Sequence, residues 1–234
     1  MPPVVSPPAV SPRSLNSPAL DSRSVLAVDV VSDVVCPWCY VGKRKLERAL
    51  EELSQREPAL AVAVRWHAFE LNPELPSEGI AREAYLEAKF GGRAGVHDRV
   101  KSVGATVGID FAFERIRRQP NTRDAHRLVA WAQASGDAAP LVEALFRAYF
   151  SEGRSLSEAS ELAGIAEDAG FDRTAALDLL ASGRMGAEVE AEYREAQAAG
   201  IHAVPFFIFN RRTAVSGAHD PATLLEAIAA ARAE

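Results

Sequence analysis

Short, nearly continuous apolar runs alternate along this chain with longer stretches in which apolar residues recur every three or four positions. Val25-Leu26-Ala27-Val28-Asp29-Val30-Val31 is almost unbroken in β-branched and aliphatic side chains, the pattern of a strand covered on both faces in a parallel or mixed sheet. The period then turns helical: Cys39, Gly42, Leu46, Leu50 and Leu53 share one stripe, and Lys43, Arg44, Glu47, Arg48, Glu51 and Glu52 the opposite one. Pro37 suits the first turn of that helix, where the missing N–H has no intrahelical partner to lose. After Pro58, Ala61-Val62-Ala63-Val64-Arg65-Trp66-His67 reads as a second strand with Val62, Val64 and Trp66 on one face. Strand, helix and strand make a βαβ unit. Phe69-Glu70-Leu71-Asn72-Pro73-Glu74-Leu75-Pro76, with two prolines, predicts an ordered loop leading away from the sheet.

From about Ile80 to Leu180 the period is helical throughout. Val96, Val100, Val103 and Val107 form one stripe, Ala125, Leu128, Val129 and Ala132 a second, Val142, Leu145, Phe146 and Tyr149 a third, and Leu162, Ile165, Ala166 and Ala169 a fourth. Gly91-Gly92, Gly136-Asp137, Gly153 and Gly170 separate them, and Thr122, Ser157 and Asp172 are the expected N-caps. Five or six helices result, with no common period that would mark a repeat array. This block is expected to cover the active site and shape its substrate surface. The last third returns to α/β. A helix over about 184–199 stops at Gly200; a strand begins at Pro205 within Ile201–Phe209; Asn210-Arg211 turns into Thr213-Ala214-Val215-Ser216; and Asp220 with Pro221 opens a final helix that buries Leu224, Leu225 and Ile228.

The candidate chemistry sits where the first strand hands over to the first helix. Cys36 and Cys39, in Cys36-Pro37-Trp38-Cys39, are the only cysteines. Cys36 falls at the helix N-terminus, where the positive end of the dipole favours an anion, so it is the expected nucleophile and the exposed thiol. Cys39, one turn on and facing inward, is placed to resolve a mixed disulfide. A structural zinc site would need a second pair of ligands, and the five histidines, at 67, 97, 126, 202 and 219, are too scattered to supply it. His67 is a catalytic candidate only if it lies in the cleft; His126 stands between a core and a functional role; Trp131 reads as structural. Trp38 brings no charge to the sulfurs, only packing and one N–H donor.

Composition narrows the partners. A net charge of −6 with no basic run argues against nucleic acid, and no stretch approaches the roughly 20 apolar residues needed to span a bilayer. Two cysteines give no disulfide framework, so a disulfide here is expected to be catalytic. Residues 1–24 are rich in Pro, Ser, Val and Ala, and prolines at 2, 3, 7, 8, 12 and 18 interrupt any apolar run of signal-peptide length. A disordered tail and a soluble, cytoplasmic protein are expected.

Strand, C-x-x-C helix, strand, helix, Val-Pro, hairpin and terminal helix is an order that resembles the thioredoxin fold, and the long helical block resembles the insertion of the DsbA family. The wording of Ser32-Asp33-Val34-Val35-Cys36-Pro37-Trp38-Cys39-Tyr40-Val41-Gly42, Phe69-Glu70-Leu71-Asn72-Pro73, Asn121-Thr122-Arg123-Asp124-Ala125-His126-Arg127, Val204-Pro205-Phe206-Phe207 and Val215-Ser216-Gly217-Ala218 is similar to the FrnE-type branch of DsbA-like oxidoreductases, over about Leu26 to Ala230. The resemblance implies an α/β thioredoxin fold interrupted by a large all-helical insertion, with a discontinuous thioredoxin-like domain at 25–77 and 183–234 and the insertion at 78–182. It implies thiol–disulfide oxidoreductase activity with Cys36 and Cys39 catalytic; Pro37, Trp38, Val204 and Pro205 at the substrate; and a cis Val204–Pro205 bond. No bound cofactor is implied, glutathione being a candidate redox partner, and the substrate would be a thiol- or disulfide-containing protein or small molecule. The same superfamily includes 2-hydroxychromene-2-carboxylate isomerases and kappa-class glutathione transferases, so the alternative is a glutathione-dependent isomerase or transferase acting on a small aromatic compound. Those relatives commonly keep one reactive Ser or Cys, whereas this chain keeps both cysteines.

Overall fold

The computed structural model describes residues 25–233; the tail expected over 1–24 lies outside them. In chain order the elements are β1 (Val25–Ser32), α1 (Pro37–Arg56), β2 (Ala61–Ala68), a short β3 (Ile80–Ala81), α2 (Arg82–Phe90), α3 (Asp98–Thr106), β4 (Arg118–Gln119), α4 (Arg123–Ser135) and α5 (Ala139–Arg147). They are followed by α6 (Ala159–Asp168), α7 (Arg173–Ala181), α8 (Gly186–Ala198), β5 (Phe206–Phe209), β6 (Thr213–Ser216) and α9 (Pro221–Arg232). The main sheet has the order β2-β1-β5-β6, with β1 and β2 parallel and the other pairs antiparallel. β1 is therefore central, which is why its sequence is apolar on both faces. Leu26, Val28 and Val30 enter the main core with α1 and α9, while Val31 packs with Phe206, Ile208, Ala214 and Ile201 on the opposite face.

In the three-residue connection between β5 and β6, Asn210 and Arg211 take φ 48° and 57°, the left-handed central pair of a tight turn closed by Arg212 N–H donating to Phe209 O at 2.9 Å. Asn210 also clamps the hairpin to the central strand: its Oδ1 accepts from Ala27 N at 2.9 Å. Six α-helices, α2 to α7, occupy the chain between β3 and α8. An aromatic cluster binds them to α1, with Tyr40 stacked on Phe146 at 5.0 Å and edge-on to Phe111 at 6.1 Å. Trp131 packs against this core and against Phe171, a structural role.

Several local expectations are corrected. Lys43, placed by its period on the polar face of α1, is buried, because α5 covers that face and its Glu143 meets Lys43 Nζ at 2.6 Å. Ser157 is not the cap of α6; Glu158 is. Thr122 stands at the N-cap of α4 without a side-chain bond, and Asn121 Oδ1 accepts from Arg123 N at 2.9 Å in its place. Asp220 precedes α9 as expected, but its carboxylate bonds Lys45 Nζ at 2.6 Å and caps no N–H. Asp172 does cap α7, accepting from Ala175 N at 2.7 Å. The helix expected from Arg184 starts at Gly186, after Met185 takes φ 62°.

His67 is a half-buried cation and not a cleft residue. Its Nε2 lies 2.8 Å from Asp29 Oδ1 on β1 and its Nδ1 3.4 Å from Glu192 Oε1 on α8, whose other oxygen accepts from Ala68 N at 2.8 Å. Burial would push the imidazole down, but the two carboxylates outweigh it and hold it up at about 9. A folded pKa above the unfolded value means that the stabilisation is complete below about pH 6.5 and is lost as pH rises towards about 9.

Two outcomes follow from this packing. Urea melts at pH 6.5 and 9 should show stability falling by up to about 3 kcal/mol, with the fall reduced in His67→Gln; an identical fall in the variant would remove His67 as its source. Gly42 lets α1 approach the strand entrance, since a Cβ there would sit 2.8 Å from Pro205 Cγ and 3.1 Å from Phe207 Cζ. Gly42→Ala gains about 1 kcal/mol of helix propensity but meets an overpacking cost of typically about 1–3 kcal/mol, so its thermal midpoint should drop. A raised midpoint would show that this contact yields freely.

Candidate functional site

Cys36 ends the turn after β1 and is the N-cap of α1, with Pro37 in the first turn. The Cys39 and Tyr40 N–H groups donate to its carbonyl at 3.0 and 3.3 Å, and its own N–H donates to Asp33 O at 3.0 Å. Cys39 lies within hydrogen-bonding reach of Cys36, and both thiols are free. Burial pushes the Cys39 thiol well up, neighbouring Cys36 adds to this, and the Ser32 hydroxyl and Asp33 backbone pull weakly the other way. The expected contrast of an exposed and a buried sulfur is smaller than the sequence suggested: Cys36 is 6% exposed and Cys39 2%. The reason is tertiary. The segment before β5 folds over Cys36, whose Sγ lies 3.6 Å from Val204 O.

Val204 is half-buried, the Val204–Pro205 bond is cis, and Pro205 is buried against α1 at Gly42. Pro37 and Trp38 are half-buried. Two segments about 170 residues apart in sequence thus meet at the sulfurs. Trp38 carries no charge, yet a cation stands beside it: the Arg99 guanidinium of α3 lies 5.7 Å from its ring centroid. Nothing in the periodicity of α3 marks Arg99, so sequence reasoning did not find it.

Under the thiols lies a fully buried carboxylate, Asp33. Its Oδ1 accepts from Val35 N at 3.3 Å and faces His126 Nε2 at 3.4 Å, and its Oδ2 accepts from Leu71 N at 2.7 Å. The same His126 nitrogen lies 3.1 Å from Phe69 O. Burial alone would lower the His126 pKa, but Asp33 and the more distant Glu70 and Glu192 hold it above its ordinary value. His126 is therefore the partner of Asp33, one link removed from the sulfurs. The rest of its motif is accounted for similarly. Asn121 Nδ2 donates to Leu75 O at 2.8 Å, Arg123 pairs with Glu70 at 3.1 Å, and Arg127 donates to Leu179 O at 2.7 Å and Arg184 O at 2.8 Å. A small cavity lined by Ser32, Trp66, His67, His126 and Glu192 includes neither cysteine. Among the described residues no group of three His, Cys, Asp or Glu could hold a metal, and no helix is long and apolar enough to cross a membrane.

The chain is similar to known proteins in sequence and fold. A crystal structure of a "probable DsbA oxidoreductase" from Streptomyces coelicolor is 32% identical, covers 89% of this chain and 91% of its own, and superposes with a TM-score of 0.79. YwbO of Bacillus subtilis, an uncharacterized protein, is 26% identical over 200 residues, which are 82% of this chain and 90% of YwbO. The cytosolic disulfide reductase DsbM of Pseudomonas aeruginosa, solved with glutathione, has the same fold at 21% identity and TM-score 0.59, covering 88% of this chain and 96% of its own. The DSBA-like thioredoxin domain profile matches residues 27–229, taking in both cysteines, the helical block and the Val204–Pro205 segment, and the chain belongs to that family.

Proposed function

We propose that the protein is a thiol–disulfide oxidoreductase in which Cys36 is the nucleophile and Cys39 the resolving thiol. The observation that carries this reading is the pair itself: two neighbouring thiols at the start of one helix, one beside the Val204 carbonyl and the other sunk in the core with its thiol pushed up by burial. The Cys36 thiolate attacks a disulfide R–S–S–R′, forming the Sγ–S bond of the mixed disulfide Cys36–S–S–R and breaking the substrate S–S bond to expel R′–S⁻, which takes up a proton. Cys39 then loses its proton, attacks Cys36 Sγ and expels R–S⁻. Two electrons pass from the dithiol to the substrate, and the reverse sequence oxidises a substrate dithiol. Because burial keeps Cys39 protonated, the second step waits for that proton to leave.

Val204 and Pro205, with Pro37 and Trp38, form the walls at which we propose a thiol- or disulfide-containing protein or small molecule docks. Glutathione is the small-molecule redox partner to test, and the cytoplasm is the compartment we propose, as for the cytosolic DsbM. The thioredoxin-like part would comprise residues 25–77 and 183–234 and the insertion residues 78–182, a division supported by the run of α2 to α7 between β3 and α8. Isomerase or transferase chemistry would use one reactive group, and the retained Cys39 weighs for the redox reading.

Trapping distinguishes the two sulfurs. Cys39→Ser should accumulate mixed disulfides through Cys36 when treated with a disulfide substrate, and Cys36→Ser almost none, as read by non-reducing electrophoresis and intact mass. Equal trapping would reverse or cancel the assignment. If instead the double Cys→Ser variant retained the protein's activity, thiol chemistry would not be its function.

A further inference from the structure

We propose that Arg99 is a specificity-determining residue of this site, selecting disulfides that carry a carboxylate close to the sulfur. The inference rests on the thiol–disulfide reading above. Arg99 stands exposed on α3, but it is not loose in solvent, because its guanidinium is held 5.7 Å from the centroid of the Trp38 ring. Trp38 lies between the two cysteines, so this cation is fixed over the residue next to Cys39 and one removed from Cys36. A guanidinium over an indole uses its π face and keeps its N–H edge free for a carboxylate.

The charge around it gives that edge nothing else to bind. Among the described residues the Arg99 guanidinium has no hydrogen bond or ion pair, not even with its sequence neighbour Asp98, and its one recorded interaction is with Trp38. On α1, by contrast, Lys43 and Arg44 are paired with Glu143, and Lys45 with Asp220. The first turn of α1 has no acidic residue, and on the facing side exposed His202 precedes Val204. The chain as a whole carries −6 and repels anions, so an unpaired cation over Trp38, between the two cysteines in sequence, is a local reversal of its field. A carboxylate a few bonds from a disulfide occurs in glutathione disulfide and in peptides with Glu or Asp beside the cystine. The shared chemistry is an anionic disulfide, which in one turnover takes two electrons from Cys36 and Cys39 and leaves as two thiols.

Reduced protein is mixed separately with glutathione disulfide, a cystine peptide flanked by glutamates, the same peptide flanked by lysines, and neutral hydroxyethyl disulfide. The rate of Cys36–Cys39 disulfide formation is followed by mass. Arg99→Gln should lower the ratio of anionic to neutral rates by about two- to fivefold, Arg99→Glu should lower it further and favour the lysine peptide, and Arg99→Lys should restore most of it. Added salt should erode the ratio in the wild type. A loss confined to glutathione disulfide assigns the small molecule as the source of the carboxylate, and a loss confined to the glutamate peptide assigns a protein. Ratios unchanged for both in Arg99→Gln and Arg99→Glu, with every disulfide still reacting, overturn the role of Arg99 alone. A wild-type protein oxidised by none of the four overturns the thiol–disulfide reading itself.

Discussion

The Asp33 carboxylate, fully buried and facing His126, is the contact on which the thiol loop depends. A buried, unpaired charge costs several kcal/mol, so its partners must all be in place before the loop can close around it. Those partners come from three parts of the chain: Val35 in the loop itself, Leu71 in the segment after β2, and His126 on α4. The backbone carbonyl of Asp33 in turn holds the Cys36 N–H. Seating α4 against the sheet and shaping the turn that presents Cys36 are therefore one event.

The same device recurs at the other joints between sheet and helices. Asp29, His67 and Glu192 tie β1 and β2 to α8, and Lys43, Arg44 and Glu143 tie α1 to α5. Apolar burial supplies most of the driving force, with one core running from Leu26 and Leu46 through the Tyr40–Phe146 stack to Leu162, but that force is non-directional. The paired charges are directional, since a shift of α5 by one turn would part the buried Lys43 from Glu143. This gives the helical block a fixed seat over the sheet, and with it a fixed place for α3 and Arg99 above Trp38.

Around the sulfurs the fold separates two thiols that are chemically alike. Cys39 faces the core, where low polarity disfavours its anion. Cys36 sits at the helix start against the Val204 carbonyl, at the point where the segment before β5 crosses α1. Gly42 allows that crossing, because any side chain there would meet Pro205. The two sulfurs therefore meet different surroundings, apolar packing around Cys39 and a backbone carbonyl beside Cys36.

Much of this was legible in the chain. The apolar run 25–31, the stripe from Cys39 to Leu53, Pro37 at the helix start, Gly200 after α8, Pro205 at the entrance of β5 and the Asn210-Arg211 turn are local signals, and the elements formed where those signals lay. What failed were assignments that needed a neighbour. The period of α1 put Lys43 in solvent until α5 covered it, Asp220 looked like a cap until Lys45 claimed its carboxylate, and His67 and His126 had no readable role until Asp29, Glu192 and Asp33 were beside them. The covering of Cys36 and the position of Arg99 belong to the same class. Periodicity, capping residues and turn chemistry act over a few residues, so the sequence by itself determined the elements, their order and the thiol pair at a helix start. Charge pairing and burial act between groups brought together from 38 to 175 positions apart, so only the tertiary structure decided which polar side chains are buried, which charges are matched, and what faces the sulfurs.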